Sequence, residues 1–207
     1  MKLTIIGAGN MGRAIGTRAV AAGHDVQVID RDPAEGQKLA GELGGQAHAG
    51  EPGGAVEGDV VVFALYYPGI LEAVEQYRDA LAGKVVVDVS NPVDFETFDR
   101  LATDTSAAEE ITERLPEGAR VVKAFNTTFA KTIHAGEVGG QPLDVFLAGD
   151  DADAKAQVAS LVESTGLNPI DTGPLRRARQ LEELGLLHMA LQEPLGTGFA
   201  STLKVLS

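Results

Sequence analysis

The chain has 207 residues and no cysteine, enough length for one substantial core and no means to build a disulfide framework, a thiolate zinc site or a cysteine nucleophile. A formal net charge of −13 opposes non-specific nucleic-acid binding. The chain enters a strand almost at once, without a basic-then-apolar leader, and no apolar run is long enough to cross a bilayer, so the expectation is a cytoplasmic protein with neither membrane nor nucleic-acid partner.

Lys2 to Ile6 is a short β-branched run, the pattern of a buried strand, and Gly7, Gly9 and Gly12 follow it as G-x-G-x-x-G. Asn10 to Ala22 repeats small and apolar residues at helical spacing, Gly23 stops that helix, and Asp25 to Ile29 is a second strand with Asp30 at its end. Asp32-Pro33 opens a helix over Ala34 to Leu43 with proline in its first turn. A weak strand over Gln46 to Ala49 and a brief helical turn over Pro52 to Gly58 follow. Asp59 to Leu65 (DVVVFAL) reads as a fully buried strand, Ile70 to Leu81 as an amphipathic helix, and Lys84 to Val89 as another buried strand. Phe95 to Ser106 is polar and irregular. Ser106-x-x-Glu109 has the form of a capping box for a helix over Ala107 to Leu115. Arg120 to Ala124 is a strand, Thr127 to His134 a helix, and Leu143 to Ala148 a strand. A helix capped by Asp150 or Asp151 runs to about Ser164, followed by a last strand over Leu167 to Asp171 and a long helix over Leu175 to Leu191. Alternation of strand-like and helix-like periods predicts an α/β protein, a Rossmann-type doubly wound, mainly parallel sheet with extra strands and a short C-terminal helical region. Residues 1–172 form the NAD(P)-binding unit in this reading, and 173–207 a helical segment of the same compact body.

The opening stretch carries most of the functional signal. The first glycine permits the sharp turn out of the strand, the second lets a pyrophosphate approach the backbone, and the third lets helix and strand pack closely. The helix N-terminus offers free N–H groups to the phosphates. Strand, turn, helix, strand and acid arrive in the order that confirms a dinucleotide motif. In an open parallel sheet, ligands lie at the carboxyl ends of the strands. That edge gathers Gly7, Ala8, Gly9, Asn10, Met11 and Gly12, then Asp30 and Arg31, then Ala64, Leu65, Tyr66, Tyr67 and Pro68, then Ser90, Asn91 and Pro92, and finally Phe125, Asn126, Thr127 and Thr128. Asp30 favours the free ribose hydroxyls of NAD, whereas Arg31 can pair with the extra phosphate of NADP, and the sequence leaves that choice open. Tyr66 and Tyr67 read as a wall for the nicotinamide or as strand-end packing; Asn91 and Asn126 read as hydrogen-bonding groups or as turn residues. Asp88 reads as a buried structural partner. No histidine has a partner at metal-ligand spacing, so no metal site is expected, and no side chain stands out as a catalytic acid or base.

The segments IIGAGNMG, FALYYP, VVVDVSNP, RVVKAFNTTFA and DTGPLRRARQLE together resemble the NADP-dependent reductases of the deazaflavin coenzyme F-420, and are similar too to the reductase domain of the six-transmembrane metalloreductases. The resemblance runs from Lys2 to about Leu191. It implies a homodimer in which hydride passes directly between nicotinamide C4 of NADP, or of NAD, and a deazaflavin or flavin-like ring, with no side-chain acid or base. It implies that Ala64, Leu65 and Pro68 line the nicotinamide, that Ser90, Asn91 and Pro92 flank it, and that Ala130 meets its carboxamide. The second ring then lies against Thr172 to Leu175 and the C-terminal helix. Asp30 departs from the serine or asparagine usual in members that take NADP. Two other readings stand beside this one. A reductase of a small carbonyl or imine would need a group such as Lys123 or Lys131 at the nicotinamide, although both read more simply as solvated charges. A non-catalytic dinucleotide-binding protein would need neither.

Overall fold

A computed structural model describes residues 1–101 and 105–206 of the chain. Six strands, β1 (Lys2–Ile6), β2 (Asp25–Ile29), β3 (Ala47–Ala49), β4 (Val60–Phe63), β5 (Val85–Asp88) and β6 (Arg120–Lys123), form one parallel sheet in the order β3-β2-β1-β4-β5-β6. That is the doubly wound order, with the reversal between β1 and β4 that opens a crevice above the strand ends. The register runs Ile6 beside Ile29 on one side and beside Phe63 on the other, so the three strands end together under that crevice.

The valine-rich strands are buried on both faces because helices cover both. Val60 and Val62 face a core shared with α1 (Asn10–Ala21), α2 (Pro33–Leu43), α5 (Ala130–Ala135) and α6 (Ala152–Ser164), through Ile15, Leu39, Ile133 and Leu161. Val61 and Phe63 face a second core with α3 (Tyr67–Gln76) and α4 (Ala107–Arg114), through Ile70, Val74 and Ile111. Neighbouring residues thus serve opposite layers, the two-residue period of a strand. Among the described residues, no helix is long and apolar enough to cross a membrane.

Several elements differ from the sequence expectation. Pro52 to Gly58 forms turns rather than a helix. The helix expected over Ile70 to Leu81 starts earlier, at Tyr67 with Pro68 in its first turn, ends at Gln76, and gives way to a separate 3-10 turn over Arg78–Leu81. Only Ala130–Ala135 of the stretch from Thr127 is helical. A small hairpin, β7 (Glu137–Val138) with β8 (Gln141–Pro142), has no counterpart in the sequence reading. The extra strands β9 (Asp144–Leu147) and β10 (Asn168–Asp171) form their own parallel pair, and touch the main sheet through one antiparallel bridge between Lys123 and Ala148. The last long helix begins as a 3-10 turn over Leu175–Arg177 and continues as α7 (Ala178–Ala190) and α8 (Gln192–Leu195). Residues 102–104 of the irregular stretch lie outside the described residues.

The capping box is present. Ser106 Oγ accepts the Glu109 N–H at 3.1 Å, and Glu109 Oε2 accepts the Ser106 N–H at 3.0 Å. Asp151, rather than Asp150, caps α6, through the Ala154 N–H at 2.7 Å. Ser106→Ala is expected to cost about 1 kcal/mol of stability, read as a lower urea midpoint with an unchanged slope.

Candidate functional site

The crevice above the strand ends is a cavity of about 1020 Å³, at the upper end of the usual range for a ligand site. Of the residues expected there, Gly7, Gly9, Asn10, Met11, Asp30, Arg31, Ala64, Leu65, Tyr66, Pro68, Ser90, Asn91, Asn126, Thr128 and Ala130 line it. Ala8, Gly12, Tyr67, Pro92, Phe125 and Thr127 do not; all of these are buried. The lining also includes residues of α3 (Gly69, Glu72, Ala73, Gln76), then Tyr77, Phe95, Phe129, Met189 and Phe199, which the sequence pattern did not single out.

Each glycine of the opening turn has a geometric reason. Gly7 has φ +113°, and a Cβ there would sit 2.5 Å from the Ala64 carbonyl oxygen. A Cβ on Gly12 would sit 2.1 Å from the Gly7 carbonyl oxygen and 3.2 Å from Ile5, so only glycine lets α1 lie this close to β1. Gly9 faces open space and lines the cavity. It is also the N-cap of α1, with no side chain satisfying the first turn and no acid within it. A bare positive helix end pointed at a glycine-lined hollow fits a pyrophosphate.

Asp30 has two backbone partners. Its Oδ2 accepts the Ala8 N–H at 2.7 Å and its Oδ1 accepts the Asp32 N–H at 3.0 Å, so the carboxylate fastens the glycine turn to the end of β2. Arg31 is exposed on the lining, with no hydrogen-bond or ion-pair partner among the described residues.

The wall beneath β5 and β6 is held by buried charge. Asp88, Lys123 and Glu182 are each fully buried. Lys123 Nζ donates to Asp88 Oδ2 at 2.7 Å, to the Ser90 carbonyl at 2.7 Å and to Glu182 Oε1 at 2.9 Å. Asp88 Oδ1 accepts both the N–H and the hydroxyl of Ser90, at 2.9 and 2.7 Å. Burial alone would drive the Lys123 ammonium down, but the two carboxylates overcome it and hold the ammonium above its ordinary value. Glu182 is raised, by burial first, against the pull of Lys123. The reading of Lys123 as a solvated charge is therefore corrected: its side chain is enclosed by an acid on its own sheet and one on α7. Lys131, by contrast, is exposed and lines the cavity.

Next to this group, Asn91 and Asn126 bind each other. Asn126 Nδ2 donates to Asn91 Oδ1 at 2.9 Å, and Asn91 Nδ2 donates to the Asn126 carbonyl at 2.8 Å. Gly185 of α7 leaves room for the pair, since a Cβ there would come within 3.0 Å of both Asn91 amide atoms. Tyr67 turns away from the cavity and donates its hydroxyl to Glu110; burial first, then that carboxylate, pushes its pKa well up.

The C-terminal wall differs from expectation. Leu175 packs into the α3/α4 core and Thr172 to Leu175 is absent from the lining. Met189, on the expected C-terminal helix, and Phe199 stand on the lining. His188 holds that corner: its Nδ1 meets the Thr127 carbonyl at 3.1 Å, and its Nε2 meets Ser201 Oγ at 2.8 Å. A carbonyl can only accept, so Nδ1 carries the proton. Burial lowers the pKa of the ring, against the pull of that carbonyl.

The strand order, the glycine turn and the cleft at the β1/β4 reversal define a Rossmann-type protein of the dinucleotide-binding class. Comparison with known proteins narrows this. The model of the family described as NADP oxidoreductase, coenzyme F-420-dependent, matches residues 2–92. The F-420-dependent NADP reductase of Methanothermobacter thermautotrophicus is 30% identical over 202 residues, covering 89% of this chain and 86% of that protein. Metalloreductase STEAP3 of Rattus norvegicus is 34% identical over 185 residues, covering 89% of this chain, which spans only 36% of that longer protein. A crystal structure from Arthrobacter sp. FB24, assigned as an F-420-dependent NADP reductase, superposes with a TM-score of 0.88 at 30% identity, over 100% of both chains. The chain belongs to the F-420-dependent NADP reductase family.

Proposed function

We propose that this protein transfers a hydride between NADP and the deazaflavin coenzyme F-420, in the cytoplasm, as a homodimer. The observation that carries the reading is one large cavity over the strand ends whose lining includes the glycine turn, Asp30 and Arg31 as well as Phe129 and Met189. The nicotinamide supplies a hydride at C4, and a proton from solvent completes reduction of the acceptor. This chain's residues bind and orient. Gly7, Gly9 and the start of α1 receive the pyrophosphate. Arg31 receives the ribose phosphate. Ala64, Leu65 and Pro68, with Ser90 and Asn91 opposite, hold the nicotinamide. Rate comes from holding two rings at reacting distance away from water, which needs no titrating side chain. Residues 1–172 act as the nucleotide-binding unit, and 173–207 close its far wall.

The direct test sets NADPH and NADH in turn against a deazaflavin acceptor and follows the absorbance of the reduced nicotinamide. Turnover with NADPH is expected; none with either dinucleotide would sink the reading. The homodimer is supported by Leu187, Leu191 and Leu195, which are 58%, 37% and 61% exposed and recur at four-residue spacing through α7 and α8. Light scattering is expected to report twice the monomer mass, and Leu187→Glu to shift it towards the monomer.

A further inference from the structure

The aromatic side chains at the cavity fall into two groups that differ in what already covers them. Phe129 stacks on His188 with centroids 4.5 Å apart and meets Phe199 edge-on at 5.1 Å. Tyr66 and Phe95 meet edge to face at 4.7 Å, and neither has another aromatic ring partner among the described residues. They remain 71% and 53% exposed, although both line the cavity. The Tyr66 hydroxyl has no hydrogen-bond partner among the described residues.

Both rings are presented from anchored backbone. Tyr66 lies between β4 and α3, where Pro68 stiffens the first turn. Phe95 rides on the loop after β5, which is closed by an antiparallel bridge between Val93 and Arg100 and by the Leu101 N–H on the Pro92 carbonyl at 2.8 Å. Arg100 ties that loop to α7, through Glu183 at 3.0 Å and the buried Glu182 at 3.4 Å. Two large rings are therefore held out from that frame, each more than half exposed. Of the floor proposed for the nicotinamide, Ala64, Leu65, Ser90 and Asn91 are buried or half-buried and Pro68 is exposed, so Tyr66 and Phe95 offer the larger exposed aromatic surface beside it.

We infer that Tyr66 and Phe95 form the seat of the second substrate's planar fused ring, a role that rests on the proposed function and assigns the acceptor to this wall. Edge and face of the pair suit stacking on a flat conjugated ring, which needs no charge and no specific hydrogen bond. The seat selects for a fused planar acceptor over a small carbonyl, which has too little surface to cover it.

The test uses the NADP-loaded protein and reads binding of an oxidised deazaflavin, and separately of FMN, by the polarisation of the ring's own fluorescence. Tyr66→Ala and Phe95→Ala are each expected to weaken ring binding roughly tenfold. Phe95→Tyr is expected to retain it, and NADPH affinity to stay unchanged in both Phe95 variants. Unchanged ring affinity in both alanine variants, an equal loss of NADPH affinity, or a wild-type protein that binds neither ring would overturn the inference. A wild type that binds the ring and loses it in the variants, yet turns over no deazaflavin, would refute the proposed function and leave the seat standing.

Discussion

Replacing Lys123 with methionine is expected to lower the unfolding free energy by about 3–5 kcal/mol, the cost of removing one partner from a buried ion group. Methionine matches the length of the lysine stem, so the change deletes a charge more than a volume. It strands Asp88 and Glu182, both fully buried, with Arg100 at 3.4 Å as the remaining cation on Glu182. The pH dependence separates this cause from loose packing. In the wild type, the raised Lys123 contributes stability that is complete below its unfolded value near ~10.4 and fades only as pH climbs through the folded value, so it is constant through neutrality. In the variant, Glu182 loses the cation that pulled its pKa down and rises further. An acid raised on folding contributes stability that is present below its unfolded value near ~4.3 and is lost as pH rises through the folded one. The stability deficit of Lys123→Met is therefore expected to be smaller at about pH 5 than at about pH 8. Urea denaturation of both proteins at the two pH values reads it, and an equal deficit at both would mean that buried charge is not the cause. Turnover should fall as well, because Lys123 Nζ and Asp88 Oδ1 between them hold the carbonyl, N–H and hydroxyl of Ser90 on the cavity wall.

That group also marks the boundary of what the sequence makes legible. Asp88 and Lys123 are 35 residues apart, and Lys123 and Glu182 59 apart. A charged residue at the end of a buried run carries no local signal of its partner. Valine runs report burial, and G-x-G-x-x-G reports a turn whose geometry is set within twelve residues, so the positions of the first strands and the glycine cradle could be read directly. The Ser106–Glu109 capping box is legible for the same reason, because every atom that it joins lies within four positions. Phe95 sits in a polar stretch with no period, and its place on the cavity comes from the bridge between Val93 and Arg100, a pairing that composition does not encode. Thr172 to Leu175 misleads in the opposite way. The resemblance put the second ring against this segment and the C-terminal helix; Leu175 enters the core beside Ile70 and Ile111, while Met189 of that helix and Phe199 line the cavity.

Asp30→Ser is expected to raise the ratio of kcat/KM for NADPH over NADH by roughly 10- to 100-fold, the discrimination that a single charge at ligand distance in a partly screened site can supply. The carboxylate lines the cavity beside Arg31, and its negative charge opposes a ribose phosphate while the guanidinium attracts one. Removing the acid leaves the attraction unopposed and deprives the free ribose of NADH of an acceptor. The same carboxylate holds the Ala8 N–H at 2.7 Å and the Asp32 N–H at 3.0 Å, and a serine hydroxyl can replace at most part of that. Some loss of kcat/KM with both dinucleotides is therefore expected from a looser glycine turn. The two effects separate in one experiment: the common loss reads the turn, and the change in ratio reads the charge. Steady-state kinetics with both dinucleotides at a fixed acceptor concentration measures both. A common loss with an unchanged ratio would show that Asp30 serves the turn alone and that discrimination belongs to Arg31.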